Sequence, residues 1–246
     1  MNIAIFGDSF ANGVSDGKPT LAHSGLTQYL LDDGHFVINF SHQGNTNLQI
    51  RQDFQHNIRQ NPHIKFDIAL VFQSETNRDT GEMLYFLEKK NINIKKVDLY
   101  MVKNWCKKLK TTQSEYNVPV YLVGGTADTL EPKEIEKLGL KCACQSLVNL
   151  VLTGEHTIDE PVRNFIFNSP MLRDLQTTKV LDKVLKTTSD KEYFLKFEKM
   201  GTDRRYLKID NPKYFSPNMR GRPDKEHPNK LTYKILFNHL KESNII

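Results

Sequence analysis

The chain has 246 residues, of which 38% are hydrophobic and 26% charged, a composition typical of a soluble globular protein with one sizeable core. No apolar run approaches the roughly 20 residues that a membrane-spanning helix needs, which excludes a membrane span. The N-terminus lacks the basic region and the long apolar stretch of a signal peptide, so we expect a cytoplasmic protein. Three cysteines are too few for a disulfide framework, which agrees with a reducing compartment.

The formal net charge of +5 is concentrated in the C-terminal part of the chain. Residues 179–246 carry 16 Lys and Arg against 9 Asp and Glu. A solvated lysine-rich face accounts for this excess, although the same charge could attract an anionic glycan or surface. Nucleic acid is not the partner we expect, because the chain has no zinc finger, no helix-turn-helix pattern and no basic repeat interleaved with aromatic residues.

In chain order, the first element is Asn2–Phe6, a short apolar run that stops at Gly7-Asp8-Ser9. A run of this length bounded by glycine is typical of a buried strand in a parallel sheet. Similar runs predict four further strands: Phe36–Phe40, Phe66–Phe72, Val118–Val123 and Leu147–Leu152. Four of these five strands lead into polar or glycine-rich loops, which places those loops together at one edge of the sheet.

Segments with apolar residues at helical spacing separate the strands. The predicted helices cover Leu21–Leu31, Leu48–Arg59, Met83–Leu87, Val97–Leu109, Met171–Lys186 and Leu231–Leu240. Strands that alternate with helices indicate βαβ units, so we predict an α/β fold around a parallel sheet of about five strands.

The chain shows no internal repeat and no linker, so we predict a single domain over residues 1–246. The pattern loosens beyond residue 126. Two interpretations of residues 155–217 stay open: an insertion that shapes a substrate cleft, or loop and helix packed on the sheet. Nothing in the sequence indicates an oligomeric state.

The polar loops carry the candidate functional residues. Gly7-Asp8-Ser9, Gly44-Asn45 and Thr76-Asn77 follow the first three strands. Asp224 and His227 lie three residues apart in a segment bounded by prolines, which we expect to be a loop, just before the last helix. A hydroxyl nucleophile, an imidazole base, a carboxylate, a glycine N–H and a side-chain amide are the groups that acyl transfer needs.

Each motif alone has a plainer interpretation. Gly7-Asp8-Ser9 could be a turn whose side chains bond the local backbone, and an Asp and a His near a terminus are usually solvated. The combination of both motifs, at opposite ends of the chain and next to the predicted strand ends, favours an active triad.

At this point the sequence resembles a known family, the SGNH hydrolases, also called GDSL esterases/lipases, which are flavodoxin-like α/β/α proteins. The first block of that family, Gly-Asp-Ser after the first strand, matches Gly7-Asp8-Ser9. The glycine of the second block matches Gly44. The last block, Asp-x-x-His with a frequent following proline, matches Asp224, His227 and Pro228. The resemblance spans nearly the whole chain and implies a three-layer α/β/α sandwich.

The resemblance also implies a role for each matched residue. Ser9 would be the nucleophile, His227 the base and Asp224 the carboxylate that orients the base. The backbone N–H groups of Ser9 and Gly44, together with an asparagine side chain, would form the oxyanion hole.

The third block departs from the family pattern of Gly-x-Asn-Asp. The loop here is Gln73–Arg78, and aligning Thr76-Asn77 with x-Asn keeps the asparagine but not the flanking Gly and Asp. It also looks like the Gln-Gly-Glu-x-Asn segment of some carbohydrate acetylesterases in the same superfamily, with Ser74 in place of glycine. The resemblance therefore implies Asn77 as the oxyanion donor, with Gln73 as the alternate.

The expected activity is that of a carboxylic ester hydrolase that acts through a Ser-His-Asp triad and an acyl-enzyme. The resemblance of the third block favours short O-acetyl esters of a carbohydrate, so the expected partner is a small-molecule or glycan ester. The alternative is a non-catalytic SGNH-like module that binds a glycan or serves a structural role.

We expect neither a cofactor nor a metal. The chain lacks the glycine-rich phosphate-binding motifs, so no nucleotide cofactor is predicted. Cys142-Ala-Cys144 has no second Cys/His pair nearby and is predicted to be a pair of inert thiols.

Overall fold

The computed structural model describes residues 1–13, 25–74, 79, 81–82, 85–86, 89–90, 92, 97–125, 129–151, 215–217, 226–228 and 230–246. Its centre is a five-stranded parallel sheet in the order β2-β1-β3-β4-β5. These strands are β1 Asn2–Phe6, β2 Phe36–Asn39, β3 Ile68–Gln73, β4 Val120–Gly124 and β5 Lys141–Cys144. This is the doubly wound, flavodoxin-like strand order, which confirms the predicted fold class.

Helices cover both faces of the sheet. In chain order they are α1 Ser9–Asn12, α2 Leu26–Asp32, α3 Asn47–Gln60, α4 Val97–Tyr116, α5 Pro132–Lys137, α6 Leu147–Val151 and α7 Lys230–Glu242. Two short strands, β6 Phe215–Pro217 and β7 Glu226–Pro228, form a separate antiparallel pair. Within the described part of the chain, none of the helices combines the length and the hydropathy that a bilayer crossing requires.

The alternation of side chains along β1 shows how the two helical layers are held. Ala4 and Phe6 belong to the core that packs against α3, α4 and α5. Ile3 and Ile5 belong to the opposite core, which packs against α1, α2, α6 and α7. Because helices bury both faces, the central strands are continuous apolar runs, and all six residues of β3 are buried.

The predicted fifth strand over Leu147–Leu152 is wrong. The fifth strand is Lys141–Cys144, and Leu147–Val151 forms helix α6. Short apolar runs are ambiguous between strand and helix, and here Leu147, Leu150 and Val151 have the i, i+3, i+4 spacing of a helix. The backbone N–H of Leu150 donates to the carbonyl oxygen of Ser146 at 3.0 Å, which begins the helical pattern.

The first helix is short. It ends at Asn12, and Gly13 follows with φ of 76° in the left-handed region. The predicted helix over Met171–Lys186 and nearly all of the 155–217 segment lie outside the described residues, as does part of the predicted helix over Met83–Leu87.

Helix α7 is tied to the turn between α2 and β2 by an ion pair. Lys241 Nζ donates to the two carboxylate oxygens of Asp33 at 2.8 and 3.1 Å. The hydrogen bond from Lys241 holds the pKa of Asp33 below its usual value. A carboxyl group whose pKa is lowered in the folded state stabilises that state at pH values above its unfolded pKa of about 3.9, and the contribution is lost as the pH falls through the folded value.

We therefore expect Lys241→Met to lower the free energy of unfolding slightly at neutral pH, because exposed ion pairs contribute little. The difference from wild type should shrink as the pH falls below about 4, as urea titrations at several pH values would measure. Lys234→Met is the matched control, since Lys234 is exposed on the same helix and has no ion pair among the described residues. An equal effect of both substitutions at every pH would contradict the assignment.

Candidate active site

Ser9 lies at the point where the strand order of the sheet reverses, beyond the carboxyl end of β1 and beside β3. This is the usual ligand-binding position in doubly wound sheets. The chain leaves β1 through Gly7 and begins α1 at Ser9. A Cβ atom at Gly7 would lie 2.4 Å from the Cβ of Ala11 and 2.8 Å from the Cβ of Phe72, so the turn requires glycine.

Asp8 caps helix α1 and accepts hydrogen bonds from three backbone N–H groups of that helix. Its Oδ1 accepts a hydrogen bond from the Phe10 N–H at 2.9 Å, and its carbonyl oxygen accepts from Ala11 and Asn12 at 3.2 and 2.9 Å. Among the described residues, neither the backbone N–H nor the hydroxyl of Ser9 makes a hydrogen bond. Ser9 thus combines a hydroxyl with an unused N–H donor at a helix N-terminus, where negative charge is stabilised.

The loop after β2 is fastened directly to the Ser9 turn. The carbonyl oxygen of Gly7 accepts hydrogen bonds from the His42 N–H at 3.2 Å and from Asn45 Nδ2 at 3.4 Å. Between these two anchors Gly44 has φ of 80°, in the left-handed region that favours glycine. The Gly44 N–H donates no hydrogen bond among the described residues. The structure therefore brings two predicted oxyanion donors, the backbone N–H groups of Ser9 and Gly44, to neighbouring turns.

The end of β3 reaches the same turn through Ser74. Ser74 Oγ donates a hydrogen bond to Asp8 Oδ2 at 2.9 Å. Gln73, the alternate donor, is buried in the last position of β3, opposite Gly124 of β4. Asn77 lies outside the described residues.

A second carboxyl group, that of Asp79, is buried near the N-terminus of α3. Asp79 Oδ1 accepts a hydrogen bond from the Leu48 N–H at the start of α3 at 3.4 Å, and Oδ2 has no partner among the described residues. Burial raises the pKa of Asp79, because the charged form is poorly solvated.

The C-terminal part of the chain reaches the site through β7 and α7. β7 holds the backbone of His227, and Cα atoms of β7 come within 8 Å of both α1 and α7. The Tyr233 hydroxyl donates to the carbonyl oxygen of Phe10 at 2.8 Å, which fixes α7 to the helix that begins at Ser9. Asp224 and the side chain of His227 lie outside the described part of the structure.

The expectation that His227 lies in a loop is wrong, because Glu226–Pro228 is a strand that pairs with Phe215–Pro217 and sets Ser216 opposite His227. A three-residue strand that ends in a proline is too short to show the alternation that would predict it.

The described part of the chain contains three free thiols and no candidate metal cluster. Among the described residues, no group of three or more His, Cys, Asp or Glu side chains could hold a metal ion. Cys106 and Cys144 are buried, and Cys142 of β5 is half-buried. Burial raises the pKa of Cys106 to about 12, so this group is a thiol and not a thiolate at neutral pH.

Neither a scan against family models nor a search of curated proteins gave a match. Three similar solved structures are the psychrotrophic esterase EstA from Pseudoalteromonas sp., a variant of the acetyl xylan esterase Axe2 from Geobacillus stearothermophilus, and AlinE4, an SGNH-hydrolase family esterase.

The alignments are long but distant. EstA is 12% identical, with a TM-score of 0.45, over 99% of this chain and 96% of EstA. Axe2 is 13% identical, with a TM-score of 0.45, over 98% of this chain and 93% of Axe2. AlinE4 is 16% identical, with a TM-score of 0.39, over 79% of this chain and 95% of AlinE4.

Proposed function

We propose that this protein is a serine ester hydrolase of the SGNH type that works through an acyl-enzyme. The observation that carries the proposal is the meeting of the two ends of the chain: β7, which holds His227, lies against α1, which begins at Ser9. A serine with an unused N–H donor and a histidine more than 200 residues away in sequence are thereby brought to one edge of the sheet.

The reaction would begin with attack of Ser9 Oγ on the ester carbonyl carbon while His227 accepts the hydroxyl proton. Asp224 would orient the imidazole and stabilise the imidazolium. His227 would then protonate the leaving alcohol as the bond between the carbonyl carbon and the alkoxy oxygen breaks. Water would repeat the sequence on the acyl-enzyme and release the acid and free Ser9.

The oxyanion of the tetrahedral intermediate would be held by the N–H groups of Ser9 and Gly44 and by the side chain of Asn77, with Gln73 as the alternate. Two observations support this hole. The N–H groups of Ser9 and Gly44 make no hydrogen bond among the described residues, and the loops that carry them are joined through the carbonyl oxygen of Gly7. Preorganised donors of this kind are worth about 10²–10³ in rate each.

For the substrate we propose a short acyl ester, and in particular an O-acetyl group on a carbohydrate. The support is the likeness of residues 73–77 to the Gln-Gly-Glu-x-Asn segment of carbohydrate acetylesterases. Acetate release from an O-acetylated oligosaccharide, compared with p-nitrophenyl esters of increasing chain length, tests this choice. Faster turnover of octanoyl than of acetyl esters would contradict it.

The class of activity is tested by labelling with a fluorophosphonate, which reacts with activated serines. We expect stoichiometric labelling of the wild-type protein and none of Ser9→Ala. Ser243→Ala is the matched control, because Ser243 is an exposed serine at the end of the chain and should label as wild type. Absence of labelling in a folded wild-type protein would reject the hydrolase and favour the non-catalytic SGNH-like module.

A further inference from the structure

We propose that Asn47 and Ser74 are positioning residues for the nucleophile, acting through Asp8 on the turn that presents Ser9. This inference rests on the proposed function. Neither residue belongs to the triad or to the proposed oxyanion hole. Their hydrogen bonds to each other and from Ser74 to Asp8 connect the segments that follow β2, β3 and β1.

The first step is the pair of hydrogen bonds between the side chain of Asn47 and the backbone of Ser74. Asn47 Oδ1 accepts a hydrogen bond from the Ser74 N–H at 2.8 Å, and Asn47 Nδ2 donates to the Ser74 carbonyl oxygen at 2.8 Å. One side-chain amide thus satisfies both backbone groups of a residue that has just left β3, as a neighbouring strand would. The pair fixes the position and the direction of Ser74.

The second step is the hydrogen bond that links Ser74 to the turn that presents Ser9. Ser74 Oγ donates to Asp8 Oδ2 at 2.9 Å, while Asp8 Oδ1 accepts from the Phe10 N–H at 2.9 Å. The two oxygens of the carboxylate therefore join the end of β3 to the first turn of α1. Hydrogen bonds to a carboxylate are about twice as strong as neutral ones, and Asp8 and Ser74 are buried, so solvent does not compete.

The position of Asn47 is itself fixed by helices α3 and α4. It is the first residue of α3, whose N-terminus is closed by a capping box between Thr46 and Gln49. The indole N–H of the buried Trp105 on α4 donates to the carbonyl oxygen of Asn47 at 2.7 Å. The chain of contacts therefore starts from two packed helices, α3 and α4, and ends at Asp8 and the Phe10 N–H, on either side of Ser9.

The chemical consequence is that the turn at Ser9 is held at a fixed position relative to the end of β3. The turn at Ser9 supplies the nucleophile and one oxyanion N–H, and the segment after Ser74 includes Asn77, the side-chain donor of the proposed oxyanion hole. Ser74 is bonded to the first and precedes the second by three residues. Misplacement of a reacting group by about 1 Å costs about 10²-fold in rate, so loss of this link should slow the chemistry without weakening substrate binding.

The first test is Ser74→Ala, which removes the hydroxyl donor to Asp8. We expect kcat per labelled site to fall by about 10- to 100-fold, with KM within about threefold of wild type and fluorophosphonate labelling still stoichiometric. Thr112→Val is the matched control. It removes a buried hydroxyl that bonds the Lys108 carbonyl oxygen at 3.2 Å within α4, and it should leave kcat unchanged.

A purely structural role of Ser74 gives a different result. The number of sites that can be labelled would then fall while kcat per labelled site stayed within twofold of wild type, and this outcome would overturn the proposal. Full labelling with wild-type kcat would overturn it as well.

The second test is Asn47→Asp, which keeps the acceptor for the Ser74 N–H but loses the donor to its carbonyl oxygen. The introduced carboxyl group would be buried next to Asp79, with one oxygen facing the Ser74 carbonyl oxygen at about the 2.8 Å of the present hydrogen bond. Burial and this oxygen–oxygen contact, with Asp8 beyond Ser74, should raise its pKa by more than the Ser74 N–H and the N-terminus of α3 lower it. When protonated, this group can donate to the Ser74 carbonyl oxygen again. We therefore expect the ratio of variant to wild-type kcat to rise at least fivefold as the pH falls from 8 to 5.

The matched control is Asn57→Asp on the same helix, where Nδ2 donates to the Asp53 carbonyl oxygen at 2.9 Å. Its ratio to wild type should stay flat over the same pH range. A flat ratio for Asn47→Asp, with circular dichroism showing a folded protein at each pH, would overturn the proposal, as would the same rise in both variants. If Asn47→Asp unfolds at pH 8 and refolds at pH 5, its role is structural and the proposal is also overturned.

The two proposals fail in distinguishable ways. A wild-type protein that neither labels nor hydrolyses esters rejects the hydrolase itself. A wild-type protein that labels, together with a Ser74→Ala variant of unchanged kcat, rejects the positioning role alone.

Discussion

Replacing Ser9 with alanine should lower kcat for p-nitrophenyl acetate by about 10⁴-fold or more, because the acyl-enzyme can no longer form. The free energy of unfolding should change by less than about 1 kcal/mol, since the Ser9 hydroxyl makes no hydrogen bond among the described residues. Spectrophotometric assays and urea titrations measure the two quantities on the same preparations.

Ser243→Ala serves again as the control and should retain full activity. Residual activity of Ser9→Ala within tenfold of wild type would show that another group attacks the ester. Unfolding of Ser9→Ala in water would show that the serine has a structural role that the contacts of the structure do not explain.

Gly7→Ala should destabilise the protein by about 3 kcal/mol or more and abolish activity. The added methyl group would lie 2.4 Å from the Cβ of Ala11 and 2.8 Å from the Cβ of Phe72. Neither atom can rotate away, because Cβ positions are set by the backbone, so α1 would have to move from the sheet and take Ser9 with it. The midpoint of urea unfolding and ester hydrolysis measure the two effects.

Gly81→Ala is the control for the loss of a glycine, since a Cβ atom there meets nothing within 4 Å and the backbone does not require positive φ. It should change stability by no more than about 0.5 kcal/mol. Wild-type stability of Gly7→Ala would contradict the close packing of the turn.

The sequence predicted the edge of the sheet that carries the site, because topology fixes it. Buried parallel strands are apolar runs, and their carboxyl ends meet at one edge, so the loops at Ser9 and Gly44 could be placed together before their contacts were known. The structure of residues 141–151 was not predictable in the same way: residues 141–144 form the fifth strand, and residues 147–151 form a helix. Lys141–Cys144 has no β-branched residue and becomes a strand because β4 offers it an open edge.

The hydrogen bonds that link Asn47, Ser74 and Asp8 were also beyond sequence reasoning. Asn47 and Ser74 are 27 residues apart, and each by itself is an ordinary polar residue at the end of an element. What makes them partners is the placement of α3 beside the end of β3, which depends on the packing of α3 against α4 and not on any local pattern. Asp8 was predicted only as a member of its motif, without its partner at the end of β3.

The hydrogen bond from Tyr233 to the Phe10 carbonyl oxygen has a consequence for the order in which the site is completed. It closes a loop of 223 residues, and contacts between distant segments are entropically the most costly to form during folding. Until α7 docks, the helix that begins at Ser9 lacks this anchor, and β7 lacks its contact with α7. Ester hydrolysis would therefore appear only in the last stage of folding, and its recovery after dilution from denaturant would report the docking of α7.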